Sequence, residues 1–281
     1  MIEVIFLLIL AFIWILIATI SDIKTTEVPN WLNFSLIIFT LGFRFFYSLF
    51  SANNFNFFYQ GLIGLGIFFI IENALYYGKM FAGGDAKLML ALGTILPLSI
   101  NFFTNLEIFL SFLFLLLASG AVYGIMASTY FAFKNSKNFK KEFKISYKTN
   151  LRLNVIIMFF GILIMVFGLI SNEILLFLGI MLFILPLLYI YTKAVDKTMI
   201  KNVNPKDLME GDWLYRDVKI GKRVIKANWD GLTKEDIRLL HKRNKLVLIK
   251  RGVAFGPAFL ISFLLLIYFY FINTGLWNSL W

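Results

Sequence analysis

Two aspartates stand where a charge is costly and where chemistry is possible. Asp22 closes the apolar run 4–20, and Asp85 opens the apolar run 86–103. An ionisable side chain at the edge of a membrane-spanning segment is expensive to keep and is a functional candidate by default. Glu27 and Glu72 are further acidic side chains in or beside this first part of the chain. Few other groups are on offer. The sequence has no cysteine and one histidine, His241, which removes thiolate metal sites, a cysteine nucleophile, histidine metal centres and a Ser/His triad. Chemistry must then rest on carboxylates, lysines or hydroxyls, with no metal and no cofactor called for.

Two carboxylates brought together form a self-sufficient acid–base device. They do not both ionise easily, so they share a proton and titrate as a unit. One then acts as general base on a water that attacks a carbonyl. The other, protonated, donates to the developing oxyanion and later to the leaving amine. The pair suits peptide-bond hydrolysis, and the sequence leaves open which aspartate takes which role. Each aspartate alone has a plainer reading as a helix-end residue, favoured for Asp85 by the positive end of the helix dipole.

The elements that must position them are apolar helices. Hydrophobic residues make up 60% of the 281-residue chain and charged residues 15%, with 33 phenylalanines. That composition excludes an ordinary soluble domain, which is about 45–50% apolar and about 25% charged. A span needs about 20 apolar residues. The runs 4–20, 32–50, 57–78, 86–103, 107–133, 153–170, 174–192 and 253–272 give an all-α polytopic membrane protein of about eight transmembrane helices. The run 86–103 is interrupted by Pro97 and reads as kinked or partly re-entrant. The first run has no basic segment before it and no small-residue cleavage site after it, so it reads as a retained span.

Charge orients the bundle. With the N-terminus outside, segments 21–31, 79–87, 134–152 and 193–252 lie inside and hold 26 of the 27 basic residues, all but Arg44. By the positive-inside rule these faces are cytoplasmic and both termini are outside. Asp22 and Asp85 then share one depth, and packing of the first span on the fourth would pair them. The net charge of +11 reads as topology plus attraction to anionic membrane lipids, with no nucleic acid partner. Segment 134–152 reads as a lipid-contacting loop.

The sequence next to each aspartate is distinctive. Pro29 stops the first helix from running on, and Asn30 is placed to cap the second span. Gly83 and Gly84 permit close backbone approach just before Asp85. At these two stretches the chain resembles the type IV prepilin peptidases and archaeal preflagellin peptidases, membrane aspartyl proteases of the GxGD type. The first motif is matched by Asp22, Val28-Pro29-Asn30 and Leu32. The second is matched by Gly84, Asp85, Lys87, Leu88 and Ala91-Leu92-Gly93, with Ala82 standing where the family has its first glycine.

The resemblance covers about residues 1–130. It implies that Asp22 and Asp85 are catalytic. It also implies that the substrate is a pilin-like or archaellin precursor, cut at the cytoplasmic membrane face between a short basic leader and a hydrophobic helix. Bacterial relatives also methylate the new N-terminus and often carry a cysteine-rich loop. Without cysteine, peptidase activity alone is expected. Lys87 is placed to favour an ionised aspartate or hold substrate backbone, or else to contact lipid phosphate. Glu27 is placed to read a basic leader.

The chain divides into a catalytic transmembrane core (1–133), a basic loop with two further spans (134–192), a cytoplasmic α+β insert (193–252) and a C-terminal span with tail (253–281). Within the insert, Val218–Ile225 reads as a hairpin around a Gly-Lys turn. Thr233 and Asp236 form a capping box that opens a helix to about Arg243. Lys245–Lys250 reads as a strand. The insert with its final span looks like the C-terminal extension of some archaeal members. Gly256-Pro257-Ala258-Phe259-Leu260 reads as a helix start at proline, with a fainter likeness to the Pro-Ala-Leu element of presenilin-like proteases. Two other functional readings exist. A proton- or ion-coupled transporter would hold its carboxylates near the midplane and show inverted repeats. A presenilin-like intramembrane protease would hold both aspartates deeper.

Overall fold

The computed structural model describes residues 2–51, 55–221, 223–229, 231–242, 246–250 and 252–272. Six helices are long and apolar enough to cross a membrane: α1 (Ile2–Thr25), α2 (Asn30–Phe50), α3 (Asn56–Tyr77), α5 (Phe102–Lys134), α7 (Leu151–Ser171) and α8 (Glu173–Thr198). Of the other two expected spans, the last falls on a shorter apolar helix, α10 (Gly256–Ile272), and the one over 86–103 begins with an 11-residue helix, α4 (Gly83–Gly93). The protein is a multi-pass membrane protein, and large apolar side chains such as Ile9, Phe39, Ile70 and Phe114 face outward along the helices.

The span expected over 86–103 is only partly helical. The helix ends at Gly93, and residues 94–101 run in turns and bends to the start of α5. Arg44, fully buried on α2, makes this break possible. Its guanidinium donates to the carbonyls of Thr94 (2.9 Å), Ile95 (3.1 Å), Pro97 (2.7 Å) and Phe57 (2.8 Å), and it lies over the Phe57 ring. Carbonyls freed from a helix inside a bundle need such a partner, and a guanidinium supplies five donors in one plane. Gly64 of α3 and Gly93 of α4 pack so closely that a methyl group on Gly64 would collide with the Gly93 carbonyl.

The bundle has two parts. Helices α1 to α5 and α10 share one apolar core, which includes Leu7, Ile15, Leu36, Phe68, Leu92, Phe112, Phe259 and Phe263. Helices α7 and α8 form a tight hairpin, with Gly161, Gly168 and Gly179 each set against backbone of the opposite helix. The basic segment expected as a loop is instead a helix, α6 (Ser136–Thr149), lying against α8 and α5. It contains neither glycine nor proline, so nothing in it breaks a helix.

Between α8 and α10 lies a small α+β module. The strands are β1 (Ile200–Val203), β2 (Trp213–Leu214), β3 (Val218–Ile220), β4 (Arg223–Ile225) and β5 (Val247–Lys250), with helix α9 (Lys234–His241). The expected hairpin is present, with Val218 opposite Ile225 and Gly221 at φ +58° in the turn. The expected capping box is present as well, with Thr233 and Asp236 bonding each other's backbone. The final strand, β5, sits between β1 and β2 in an antiparallel sheet of order β1-β5-β2. Arg243, Lys245 and Lys222 lie outside the described residues. Leu208, Leu214, Val218, Leu240, Val247 and Ile249 make the module's own core.

Candidate active site

Asp22 lies one turn before the end of α1, and Asp85 lies in the first turn of α4. Both open onto one cavity of about 540 Å³. Asp22 is buried, Asp85 half-buried, and they are close enough for the charge on Asp22 to act on Asp85. The helices reach this arrangement by a different route from the expected packing of first span on fourth. Helix α4 packs chiefly on α3 and α2, whereas α1 packs chiefly on α10. A short inserted helix at the rim brings Asp85 to the cavity without a long α1–α4 interface.

The two motif loops meet at Val28 and Gly84. A Cβ on Gly84 would stand 3.1 Å from the Val28 nitrogen and 3.3 Å from its Cβ, so the backbones approach as only glycine permits. Gly83 has ordinary room, with the Tyr76 ring 3.6 Å from where its Cβ would be. Buried Asn33 on α2 donates its side-chain amide to the Gly84 carbonyl at 3.3 Å, a second tie between the loops. Asn33 has no motif signature and escaped notice in the sequence.

Asn30 does not cap α2. Pro29 occupies the N-cap position with no side-chain cap bond, and the Asn30 side-chain oxygen accepts a hydrogen bond from Lys87 Nζ at 2.7 Å. Asn30 is the first residue inside α2, past the cap position, so its side chain is free to meet Lys87, one turn beyond the first residues of α4. The pair links α2 to α4, and both residues line the cavity with Pro29.

The far wall of the cavity comes from the α+β module. Glu210, Gly211, Asp212, Trp213, Trp229 and Leu232 face the two motif loops across it. Gly211, at φ +88° in the left-handed region that favours glycine, lies against the Glu27 carboxylate. Backbone bonds from Gly211 to Leu232 and from Leu232 to Asp212, both 2.9 Å, hold this wall together. Trp213 and Trp229 stack at 4.5 Å. Partial burial, then the negative charges of Glu210 and Asp212, push the Glu27 carboxyl above the usual glutamate range. The sequence showed Glu27 but gave no sign that Glu210 and Asp212 join it, because 183 and more positions separate them.

The remaining contacts of Asp22 come from the start of α10. The Gly256 N–H donates to Asp22 Oδ2 at 2.6 Å. Tyr123 of α5 is also near enough to feel the charge of Asp22. Glu72 lies further along α3, where its side chain accepts from Asn73 at 2.9 Å. Among the described residues, no group of three or more His, Asp or Glu side chains is arranged to hold a metal ion.

Residues 9–128 match the type IV leader peptidase family. That stretch contains both aspartates, Glu27, the Pro29-Asn30 turn and the Gly-Gly-Asp loop. No curated protein and no solved structure matches the chain.

Proposed function

We propose that this chain, matched over residues 9–128 by the type IV leader peptidases, is an aspartyl endopeptidase of the membrane. Its substrates are pilin-like or archaellin precursors, from which it removes a short basic leader at the cytoplasmic face of the plasma membrane. One observation carries the reading. The two aspartates, each on its own motif, open onto a single cavity with Glu27, Glu210 and Asp212 on its walls.

The chemistry follows from the pair. One carboxylate takes a proton from water as the water oxygen attacks the scissile carbonyl. The other carboxyl protonates the carbonyl oxygen, and collapse of the tetrahedral species sends a proton to the departing amine. Gly84 lets the Asp85 loop reach the Asp22 side of the cavity, with Gly83 before it. The Lys87–Asn30 bond, beside Pro29, holds the two motif loops in register. Glu27, with Glu210 and Asp212 beside it, offers negative charge to a cationic leader, while the hydrophobic helix of the substrate stays in the bilayer. The basic residues of α6 face anionic lipid, consistent with an inner-face orientation and both termini outside. The reading includes no methyl transfer and no nucleic acid.

The test is incubation of purified, reconstituted protein with a precursor carrying a basic leader and an apolar helix, followed by mass spectrometry. A product lighter by the leader alone is expected, with an unmodified new N-terminus. A cut within the apolar helix, or none, contradicts the proposal.

A further inference from the structure

We infer that the residues leading into α10 belong to the catalytic apparatus, with the Gly256 amide holding the Asp22 carboxylate in its working orientation. The inference rests on the aspartate-pair reading above and extends it to a segment outside residues 9–128.

Gly256 is tied to α1 twice. Its N–H donates to Asp22 Oδ2 at 2.6 Å, and its carbonyl accepts from the Thr19 hydroxyl at 3.1 Å. Thr19 and Asp22 sit one helical turn apart on the same face, so one residue of α10 bridges both. The position tolerates only glycine without adjustment. A Cβ there would stand 3.0 Å from Thr19 Cα and 3.1 Å from Asp22 Oδ2. Pro257 follows, and helix α10 opens with its first amides beside the carboxylate.

The same lead-in reaches towards the second aspartate. The Phe255 ring packs on Phe81 at 5.2 Å, and Phe81 lies four residues before Asp85. On its other side Phe255 fills the space left by Gly120 of α5, where a Cβ would come within 2.6 Å of the ring. Ser119 donates to the Ala258 carbonyl at 3.2 Å and anchors the first turn. Segment 255–258 therefore touches α1, the approach to α4, and α5. An amide N–H only donates, so it fixes one lone-pair oxygen of Asp22 and removes rotation that would carry the carboxylate out of line with the scissile bond. Gly256 and Thr19 are positioning residues.

Thr19→Val keeps the shape of the side chain and deletes the hydroxyl that holds Gly256. We expect kcat on a cleaved precursor to fall about ten- to hundredfold with KM unchanged, as for a displaced reacting group. Thr19→Ser, which restores the hydroxyl, should recover most of the rate. Gly256→Ala, which sets a methyl group against Asp22 Oδ2, should show the same loss confined to kcat. It serves as the readout if Thr19→Val does not fold. Wild-type kcat in Thr19→Val and Gly256→Ala overturns the inference, as does a Thr19→Ser variant no faster than Thr19→Val. Those results, obtained while Asp22→Asn is inactive, leave the peptidase reading standing. Failure of the wild-type protein to cleave any precursor instead removes the aspartate pair and this inference together.

Discussion

At the scale of single residues, we assign two tasks to the carboxylates of the cavity. Asp22 and Asp85 are proposed to carry the reaction, whereas Glu27, Glu210 and Asp212, which line the same cavity, are proposed to read the leader. Glu27 is held above its ordinary titration range by partial burial and by its two acidic neighbours. A cationic leader prefers ionised Glu27, so binding favours loss of that proton. Leader affinity is therefore expected to strengthen as pH rises through the elevated Glu27 titration, then level off. Glu27→Gln should abolish this dependence and raise KM about two- to fivefold, since an exposed ion pair is worth about 0.2–1 kcal/mol. Measurement of KM against pH for both proteins checks this, and a pH-independent wild-type KM would count against a cation-reading Glu27.

The two aspartates were legible because each lies in local sequence that constrains the backbone: a proline turn for Asp22, a glycine pair for Asp85. Their companions were not. Asn33 and Gly256 reach the site through contacts 51 and 234 positions away, and no local pattern encodes those. Asn30 shows the converse. Its position suggested a cap, but α2 begins one residue earlier, with Pro29 at the cap, and the Asn30 oxygen accepts from Lys87, distant in sequence.

At the scale of elements, the broken segment after α4 decides how Asp85 is delivered. Helix α4 has 11 residues, about 16 Å at about 1.5 Å per residue, too short to cross alone. Arg44 makes the remainder tolerable by bonding three of its carbonyls, those of Thr94, Ile95 and Pro97. Arg44→Met should leave those three carbonyls without that donor and cost at least about 3 kcal/mol, each orphaned buried group being worth about 1–3 kcal/mol. Thermal unfolding in detergent should show a lowered midpoint, with the loss of activity tracking the loss of folded protein. An unchanged midpoint would mean that the carbonyls have other partners. Pro97 announced a break in the sequence. The depth of the break was hidden, because its stabilising residue sits on another helix and looked like a stray charge. In the insert, the hairpin and the capping box were readable from local rules. Strands β1 and β2, of 4 and 2 residues, were not, because β5 alone makes them strands.

At the scale of the whole molecule, the site is assembled from three stretches: the matched residues 9–128, the α+β module and the start of α10. The membrane bundle supplies Asp22 and Asp85, proposed to react, and the module lines the cavity with acidic and aromatic groups. Composition revealed the membrane class, and the distribution of basic residues is the ground on which Asp22 and Asp85 are proposed to lie at the cytoplasmic side. Neither hinted that the insert folds back over the motif loops, since Gly211 meets Glu27 from far away in the sequence. Asp22 and Asp85 are proposed to work as one unit. Cleavage of a leader-bearing precursor by Asp22→Asn, Asp85→Asn and the double variant tests it most directly, with each protein shown to be folded. Each single change should lower kcat by at least about 100-fold, and the double variant should be no worse than either. Substantial cleavage by either single variant, or multiplicative losses in the double variant, would contradict the claim.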